Sequence, residues 1–101
     1  MPNPVMISPG EFSSFIQDYA SYKLSLQGFS QKTVQEYLLD LRTFFRFLLA
    51  REQDIDPQSK EFNEIDVRSV GLERLGKIHA EDIYDFLFYA NQQRGNQWAA
   101  R

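Results

Sequence analysis

The residues best suited to chemistry lie within residues 31–51, a stretch without Gly or Pro that predicts one long helix. At about 100° per residue, the side of this helix opposite its apolar stripe carries a set of six residues: Lys32, Gln35, Leu39, Arg42, Thr43 and Arg46. Cations and small polar groups bind phosphates and base edges in a DNA major groove. Ser30, Lys32 and Thr33 stand at the helix start, where unpaired backbone N–H groups favour a phosphate. The pattern predicts nucleic-acid binding; the alternative is that the cations are the ordinary solvated side of a surface helix.

The residues present support no other chemistry. His79 is the single histidine, and its surroundings match neither a zinc-binding H-E-x-x-H sequence nor a base beside a nucleophile, so we expect it at a helix start. Asp54 and Asp56 suggest a calcium loop, but Ser59 and Ile65 occupy the positions that need Gly and Glu. Glycine-rich phosphate motifs are absent. We therefore expect no metal, no cofactor and no catalytic group in this chain.

Length and composition limit the number of domains and the classes of protein to which the chain can belong. A chain of 101 residues with 43% hydrophobic residues is sufficient for one domain, residues 1–101, around one core. The absence of Cys excludes disulfides and thiolate zinc sites, and no apolar run is long enough to span a bilayer, so we expect a cytoplasmic protein. The net charge of −3 is unevenly distributed, because residues 52–85 carry ten acidic and four basic residues while residues 30–51 carry more bases than acids.

Two helices are predicted before residue 54. Ser8-Pro9-Gly10-Glu11 has the capping-box pattern and predicts the start of the first helix, which Gly28 ends. The predicted apolar face of that helix comprises Phe12, Phe15, Ile16, Tyr19, Tyr22 and Leu26. Ser30 caps the second helix, whose predicted core face comprises Val34, Tyr37, Leu38, Leu41, Phe44, Phe45 and Leu48.

The second half of the chain predicts a long connection and a third helix. Residues 58–77 are polar, acidic and irregular in period, with one short helix expected near Leu72 to Leu75. The third helix begins at His79 or Ala80, and its core face comprises Ile83, Phe86, Leu87 and Ala90. We expect it to end within residues 92–96, with residues 97–101 opening a fourth helix. The predicted fold is an all-α bundle of three main helices plus the start of a fourth.

Several stretches follow one another in a distinctive order and spacing. They are Gly28-Phe29-Ser30-Gln31-Lys32-Thr33, Tyr37, Asp40-Leu41-Arg42, Phe44-Phe45 and Phe47-Leu48, and finally Ile78-His79-Ala80-Glu81-Asp82-Ile83 with Phe86-Leu87. Together with Asn96 to Arg101, they resemble the N-terminal core-binding, or SAM-like, domain of the tyrosine recombinases, the phage integrase and Xer-type family. His79 departs from the family pattern, in which Thr is usual at that position.

The resemblance implies a domain that forms one half of a C-shaped clamp around duplex DNA during DNA integration and recombination. The family's catalytic residues would belong to a C-terminal domain absent from this chain, so Tyr37 is expected to pack rather than react. The partners implied are double-stranded DNA and other recombinase protomers. The resemblance and the basic side of the second helix together assign DNA contact to Ser30, Lys32, Thr33, Gln35, Arg42, Thr43, Arg46, Gln97 and Arg101.

Glu36 and Asp40 flank the proposed DNA-binding side and would repel phosphate, so we expect weak binding by this segment alone. A second hypothesis is a helical protein–protein interaction module without DNA binding, with Leu39, Phe47 and Trp98 as its contact patch. A helix-turn-helix regulator fits less well, because the second helix is long and the connection after it is not a short turn.

Overall fold

The computed structural model describes the backbone of residues 7–99 and the side chains of residues 7–93. Its helices are α1 (Ser14–Ser25), α2 (Gln31–Gln53), α3 (Leu72–Leu75) and α4 (Ala80–Ala99), with 3-10 turns at Pro9–Glu11 and Lys60–Glu64. Within this range the β structure is limited to an isolated bridge between Phe12 and Val67, so the predicted all-α fold is confirmed. None of the helices in residues 7–99 has both the length and the hydropathy of a membrane span.

The capping box predicted at Ser8 is present, but it does not start an α-helix. Ser8 Oγ accepts a hydrogen bond from the Gly10 amide at 3.2 Å, and Glu11 Oε2 accepts one from the Ser8 amide at 3.1 Å. These bonds close a 3-10 turn, after which Phe12 adopts an extended conformation and is buried beside Val67. The burial of Phe12 interrupts the predicted helix, and α1 begins only at Ser14.

The apolar face predicted for the first helix is only partly buried. Phe12 and Ile16 belong to the core, whereas the remaining members of the predicted face are exposed: Phe15, Tyr19, Tyr22 and Leu26. Ala20, which the prediction did not include, is also buried. Gly28 has a φ of 67° just after α1, and the Phe29 amide reaches back to the Lys23 carbonyl at 2.9 Å. Gly tolerates this left-handed conformation without a steric cost, so the predicted stop is confirmed.

α2 is the central helix, and its start and end follow the sequence prediction closely. Ser30 Oγ accepts a hydrogen bond from the Thr33 amide at 3.1 Å, which confirms the predicted cap. Asp54 ends α2 in a left-handed conformation with a φ of 58°, which short polar side chains tolerate better than most residues. The buried residues of α2 lie on more than one side of the helix: Val34, Leu38, Phe45, Phe47, Leu48, Leu49 and Ala50.

The connection after α2 contributes to the core despite its acidic composition. Phe62 in the second 3-10 turn is buried, and so are Ile65, Val67 and Val70 after it. The short helix predicted near Leu72 to Leu75 is confirmed as α3. Residues 60–70 thus cover part of α2. The sequence did not predict this contact, because the apolar residues of this segment alternate with acidic ones.

α4 differs from its prediction in two respects. The backbone continues as one helix to Ala99, so the predicted break within residues 92–96 is wrong, and Gly95 is accommodated inside the helix. The predicted core face is also wrong in part, because Phe86 and Ala90 are half-buried whereas Ile83 and Leu87 are exposed. α4 packs on α2 through Phe86 and Tyr89, which turns Ile83 and Leu87 away from the core.

Candidate nucleic-acid interface

The first turn of α2 is the open part of the predicted DNA-binding side. Ser30 and Lys32 are exposed, and Thr33 is half-buried. The Thr33 amide is satisfied by Ser30 Oγ, so the amides of Gln31 and Lys32 are the ones that the helix leaves open. A helix N-terminus carries a partial positive charge, and the Lys32 ammonium adds a full charge beside it. This turn is therefore able to hold an anion.

The side chain of Gln35 has a structural role. Its Oε1 accepts a hydrogen bond from the Ile7 amide at 2.7 Å, and its Nε2 donates to the Ile7 carbonyl at 3.0 Å. The side-chain amide thereby pairs with both backbone groups of one residue and fastens the N-terminal segment, residues 7–13, onto α2. Reading a DNA base would require Gln35 to give up both of these bonds.

Arg42 is paired with an acid from the same N-terminal segment. Its Nη1 lies 2.9 Å from Glu11 Oε1, and both side chains are partly buried. Thr43, one position further, donates its hydroxyl to the Leu39 carbonyl at 3.0 Å. The pairing with Glu11 neutralises one of the three cations on which the nucleic-acid prediction depends.

Arg46 lies in a cleft between the N-terminal segment and residues 64–68. Its Nε donates to the Ile65 carbonyl at 3.1 Å. Burial, together with the neighbouring Arg42 charge, lowers the pKa of Arg46 below its usual value. Arg68 lines the same cleft, and its hydrogen bonds lower the pKa of Asp66 to about 2, so this second cation is already paired.

The outward orientation predicted for the basic side of α2 therefore holds for Lys32 and for Leu39, which is 47% exposed. It is wrong for Gln35, Arg42 and Arg46, because the N-terminal segment and residues 64–68 cover that part of the helix. A helical wheel places residues relative to one axis and carries no information on distant segments. Glu11 was missed as a partner for this reason, since 31 positions separate it from Arg42.

The other residues singled out by the sequence are scattered. Tyr37 is exposed at the mouth of a groove between α1 and α2, with its ring 6.1 Å from that of Phe29. Phe47 is buried beneath Phe86 and Tyr89, so the contact patch of the interaction-module hypothesis is not a surface at that residue. Gln97, Arg101 and Trp98 lie outside the described side chains.

His79 lies immediately before α4, as expected, and its amide donates to Asp82 Oδ2 at 2.8 Å. Among the residues that the structure describes, no group of three His, Asp or Glu side chains converges on a point where a metal ion could bind. The chemistry that the described geometry offers is thus anion contact at the start of α2, with Arg42 and Arg46 behind it in partly covered positions.

Comparison with known proteins gives one informative similarity. No protein-family model matches the chain, and no solved structure matches it. The chain is 26% identical over 91 residues to a protein named tyrosine recombinase XerC from Caldanaerobacter subterraneus subsp. tengcongensis. The match covers 90% of this chain and 26% of the relative, so the chain spans about a quarter of the length of that protein. The chain is thus similar in sequence to a tyrosine recombinase over nearly all of its length, which confirms the resemblance drawn from its own residues.

Proposed function

We propose that this chain is a DNA-binding domain of a site-specific tyrosine recombinase and forms one half of a clamp around duplex DNA. The observation that carries the proposal is the similarity to a tyrosine recombinase across 90% of the chain. The proposal extends to the full-length protein: DNA cleavage and rejoining by a separate catalytic domain, integration and recombination of DNA in the cytoplasm, and assembly with other protomers. No covalent step is assigned to this segment.

Within the proposal, the first turn of α2 makes the principal phosphate contact. Lys32 is exposed, has no ion-pair partner among the described side chains, and stands beside the open amides of residues 31 and 32. Ser30 and Thr33 hydroxyls border the same turn, with Ser30 Oγ 2.8 Å from Thr33 Oγ1. A lysine, open amides and hydroxyls at one helix start are the groups that contact phosphate and fix a protein's register on DNA.

Arg42 and Arg46 contribute to the proposed interface from behind this turn. A guanidinium has five N–H donors, and the described contacts use one nitrogen of each side chain, Nη1 of Arg42 and Nε of Arg46. Each arginine therefore retains donors for a phosphate, although Glu11 competes for Arg42. Gln35 and Thr43 also belong to the proposed interface, although their side chains bond to the Ile7 backbone and to the Leu39 carbonyl, and Gln97 and Arg101 belong to it as residues outside the described side chains.

Duplex binding should be weak and strongly dependent on salt. Neutralising three to five phosphates corresponds to a slope of about −3 to −5 in log K against log salt, with a Kd of about 10⁻⁴ to 10⁻⁶ M. The test is fluorescence anisotropy of a labelled duplex titrated with the protein at several salt concentrations. Lys32→Glu should weaken binding about tenfold or more and flatten the slope. Lys60→Glu changes an exposed lysine on the second 3-10 turn and serves as the matched control, with near-normal binding expected.

If Lys32→Glu and Lys60→Glu weaken duplex affinity equally, binding depends only on the overall charge of the protein, and the assigned interface is contradicted. No detectable binding at 50 mM salt would contradict the proposed function itself.

A gain-of-function variant tests the role of Arg42. Glu11→Gln removes the charge that neutralises Arg42 while retaining an oxygen that can accept the Ser8 amide in the capping box. One additional cation available to phosphate should steepen the salt slope by about 0.9 and tighten binding at low salt. An unchanged slope would exclude Arg42 from the interface and leave the contact to the first turn of α2.

A further inference from the structure

A strip of α2 remains uncovered beyond its first turn. This α2 strip ends at the half-buried Thr43, and its exposed residues are Lys32, Glu36, Leu39 and Asp40. The N-terminal segment covers α2 on one flank of the strip, and the groove between α1 and α2 lies on the other. At 1.5 Å per residue the strip is about 16 Å long, which is enough to cross a DNA major groove about 12 Å wide.

The core fixes the direction in which the α2 strip faces. Val34, Leu38 and Phe45 are buried on the opposite side of the helix, so α2 cannot rotate without exposing them. The strip also lies well inside a helix of 23 residues rather than on a loop. A ligand therefore meets side chains with a defined position, which lowers the entropic cost of binding.

The charges of the α2 strip exclude phosphate as its ligand along the whole length. Glu36 and Asp40 outnumber Lys32, and neither carboxylate has an ion-pair partner among the described side chains. A carboxylate repels phosphates, but it can accept a hydrogen bond at a base edge, because the N4 amino group of cytosine is a donor in the major groove. The acidic part of the strip is thus suited to bases, and Lys32 at its start is suited to phosphate.

Leu39 supplies a contact of a second kind. Its side chain is apolar, whereas the exposed residues on either side along the strip, Glu36 and Asp40, are charged. The apolar group that base pairs present in the major groove is the C5 methyl group of thymine. Glu36 and Leu39 are three positions apart, which places their Cβ atoms about 5–6 Å from each other. This distance corresponds to one or two base-pair steps of about 3.4 Å, so the two side chains can contact neighbouring base pairs.

We propose that Glu36 and Leu39 select the base sequence of the bound duplex. The Glu36 carboxylate would accept a hydrogen bond from cytosine N4, and Leu39 would pack against a thymine methyl group one or two base pairs away. The inference rests on the proposed function and adds to it the kind of sequence that the domain prefers. The first turn of α2 would contact phosphate and the α2 strip would contact bases, which is the usual division between positioning and specificity.

The methyl contact is tested with two short duplexes that differ only in C5 methyl groups. One has a strand of alternating thymine and cytosine, and in its twin deoxyuridine replaces every thymidine. Competition fluorescence anisotropy at low salt should show that the protein binds the thymine duplex about threefold more tightly, as expected for covering one methyl group. Leu39→Ala should bind both duplexes equally. Leu72→Ala, which truncates an exposed leucine of α3, is the matched control and should retain the difference.

The carboxylate contact is tested by a ratio of affinities, for a duplex of G·C pairs and for a duplex of A·T pairs. Glu36→Gln should shift this ratio about fivefold or more toward the A·T duplex, because a side-chain amide pairs with adenine. The ratio cancels the general gain in affinity that follows the loss of a negative charge. Glu61→Gln neutralises an exposed acid on the second 3-10 turn and should leave the ratio unchanged. The substituted side chains are all exposed, and circular dichroism checks that each variant folds.

Equal affinity of the unmodified protein for the thymine and uracil duplexes, or a difference that persists in Leu39→Ala, would overturn the role of Leu39. A Glu36→Gln variant that binds both duplexes more tightly at an unchanged ratio would show that Glu36 only repels phosphate. Duplex binding without either base preference would contradict this inference and leave the proposed function intact. No duplex binding by the unmodified protein would contradict both.

Discussion

α2 and α4 are both long helices with apolar residues three and four positions apart, yet they are buried to very different extents. α2 buries seven residues and is covered by α1, by the N-terminal segment, by residues 60–70 and by α4. α4 contacts its neighbours through one side, with Phe86 and Tyr89 packed, whereas Ile83, Tyr84, Leu87 and Phe88 are exposed. The difference arises from position: α2 lies at the centre of the fold and α4 at its edge.

The same comparison explains why the basic residues of α2 are not equally available. The segments that bury the second side of α2 also bring Glu11 to Arg42 and the Ile65 carbonyl to Arg46. Lys32 lies beyond their reach at the helix start and stays exposed. In this fold the accessible basic part of α2 is therefore its first turn, whereas the accessible part of α4 is the side that faces away from α2.

The largest expected effect of a single substitution in this comparison is at Phe45 of α2, which is 0% exposed. Phe45→Ala should lower the free energy of unfolding by about 3–5 kcal/mol, through lost burial and the cavity left behind. Leu87→Ala on α4 is the matched case and should cost about 0.5 kcal/mol or less, since half of its side chain is already exposed. Chemical denaturation measures both, and similar costs would contradict the assignment of α2 as the centre and α4 as the edge.

An intermediate effect is expected at Phe86, where α4 attaches to α2. Phe86→Ala removes the ring that contacts Phe44 and Phe47, and because Phe86 is only half-buried we expect a loss of about 2 kcal/mol. Hydrogen exchange should show faster exchange of amides in α4 while those in the middle of α2 remain protected. Uniform acceleration in both helices would show that α4 is not a separately attached element.

The smallest expected effect concerns Asp82 and depends on pH. The hydrogen bond from the His79 amide, and then that from Arg51, lowers the pKa of Asp82 below its ordinary value of 3.8. A carboxyl with a lowered folded pKa stabilises the protein above the ordinary value, and this contribution is lost as the pH falls through the folded value. Asp82→Asn should therefore lower Tm at pH 7 by more than it does near pH 2. A difference in Tm that is independent of pH would contradict this role for the carboxylate.

Local features of the fold were predictable from sequence, and contacts between distant segments were not. The Ser30 cap, the Gly28 stop and α3 follow from residues within a few positions of each other. The pairing of Phe12 with Val67 joins residues far apart in the chain, and it displaced the start of α1. The exposed side of α4 was misassigned because periodicity identifies an apolar side without showing which part of it another element covers.

The candidate interface shows the same difference between local features, which were predictable, and contacts between distant segments, which were not. The spacing of Lys32, Arg42 and Arg46 was enough to predict that these cations share one side of α2, whereas the partners of the two arginines were not predictable. Glu11 and Ile65 lie 31 and 19 positions away from them, and neither has a local sequence signal that connects it to α2.

The most direct test of the central claim, that the start of α2 contacts duplex DNA, is a nuclear magnetic resonance titration of isotope-labelled protein with a short duplex at low salt. The account predicts chemical-shift changes concentrated at the backbone amides of residues 30–33, reversed by added salt, with residues 83–88 of α4 unchanged. Changes centred on α4, or none at residues 30–33 while the duplex binds, would contradict it.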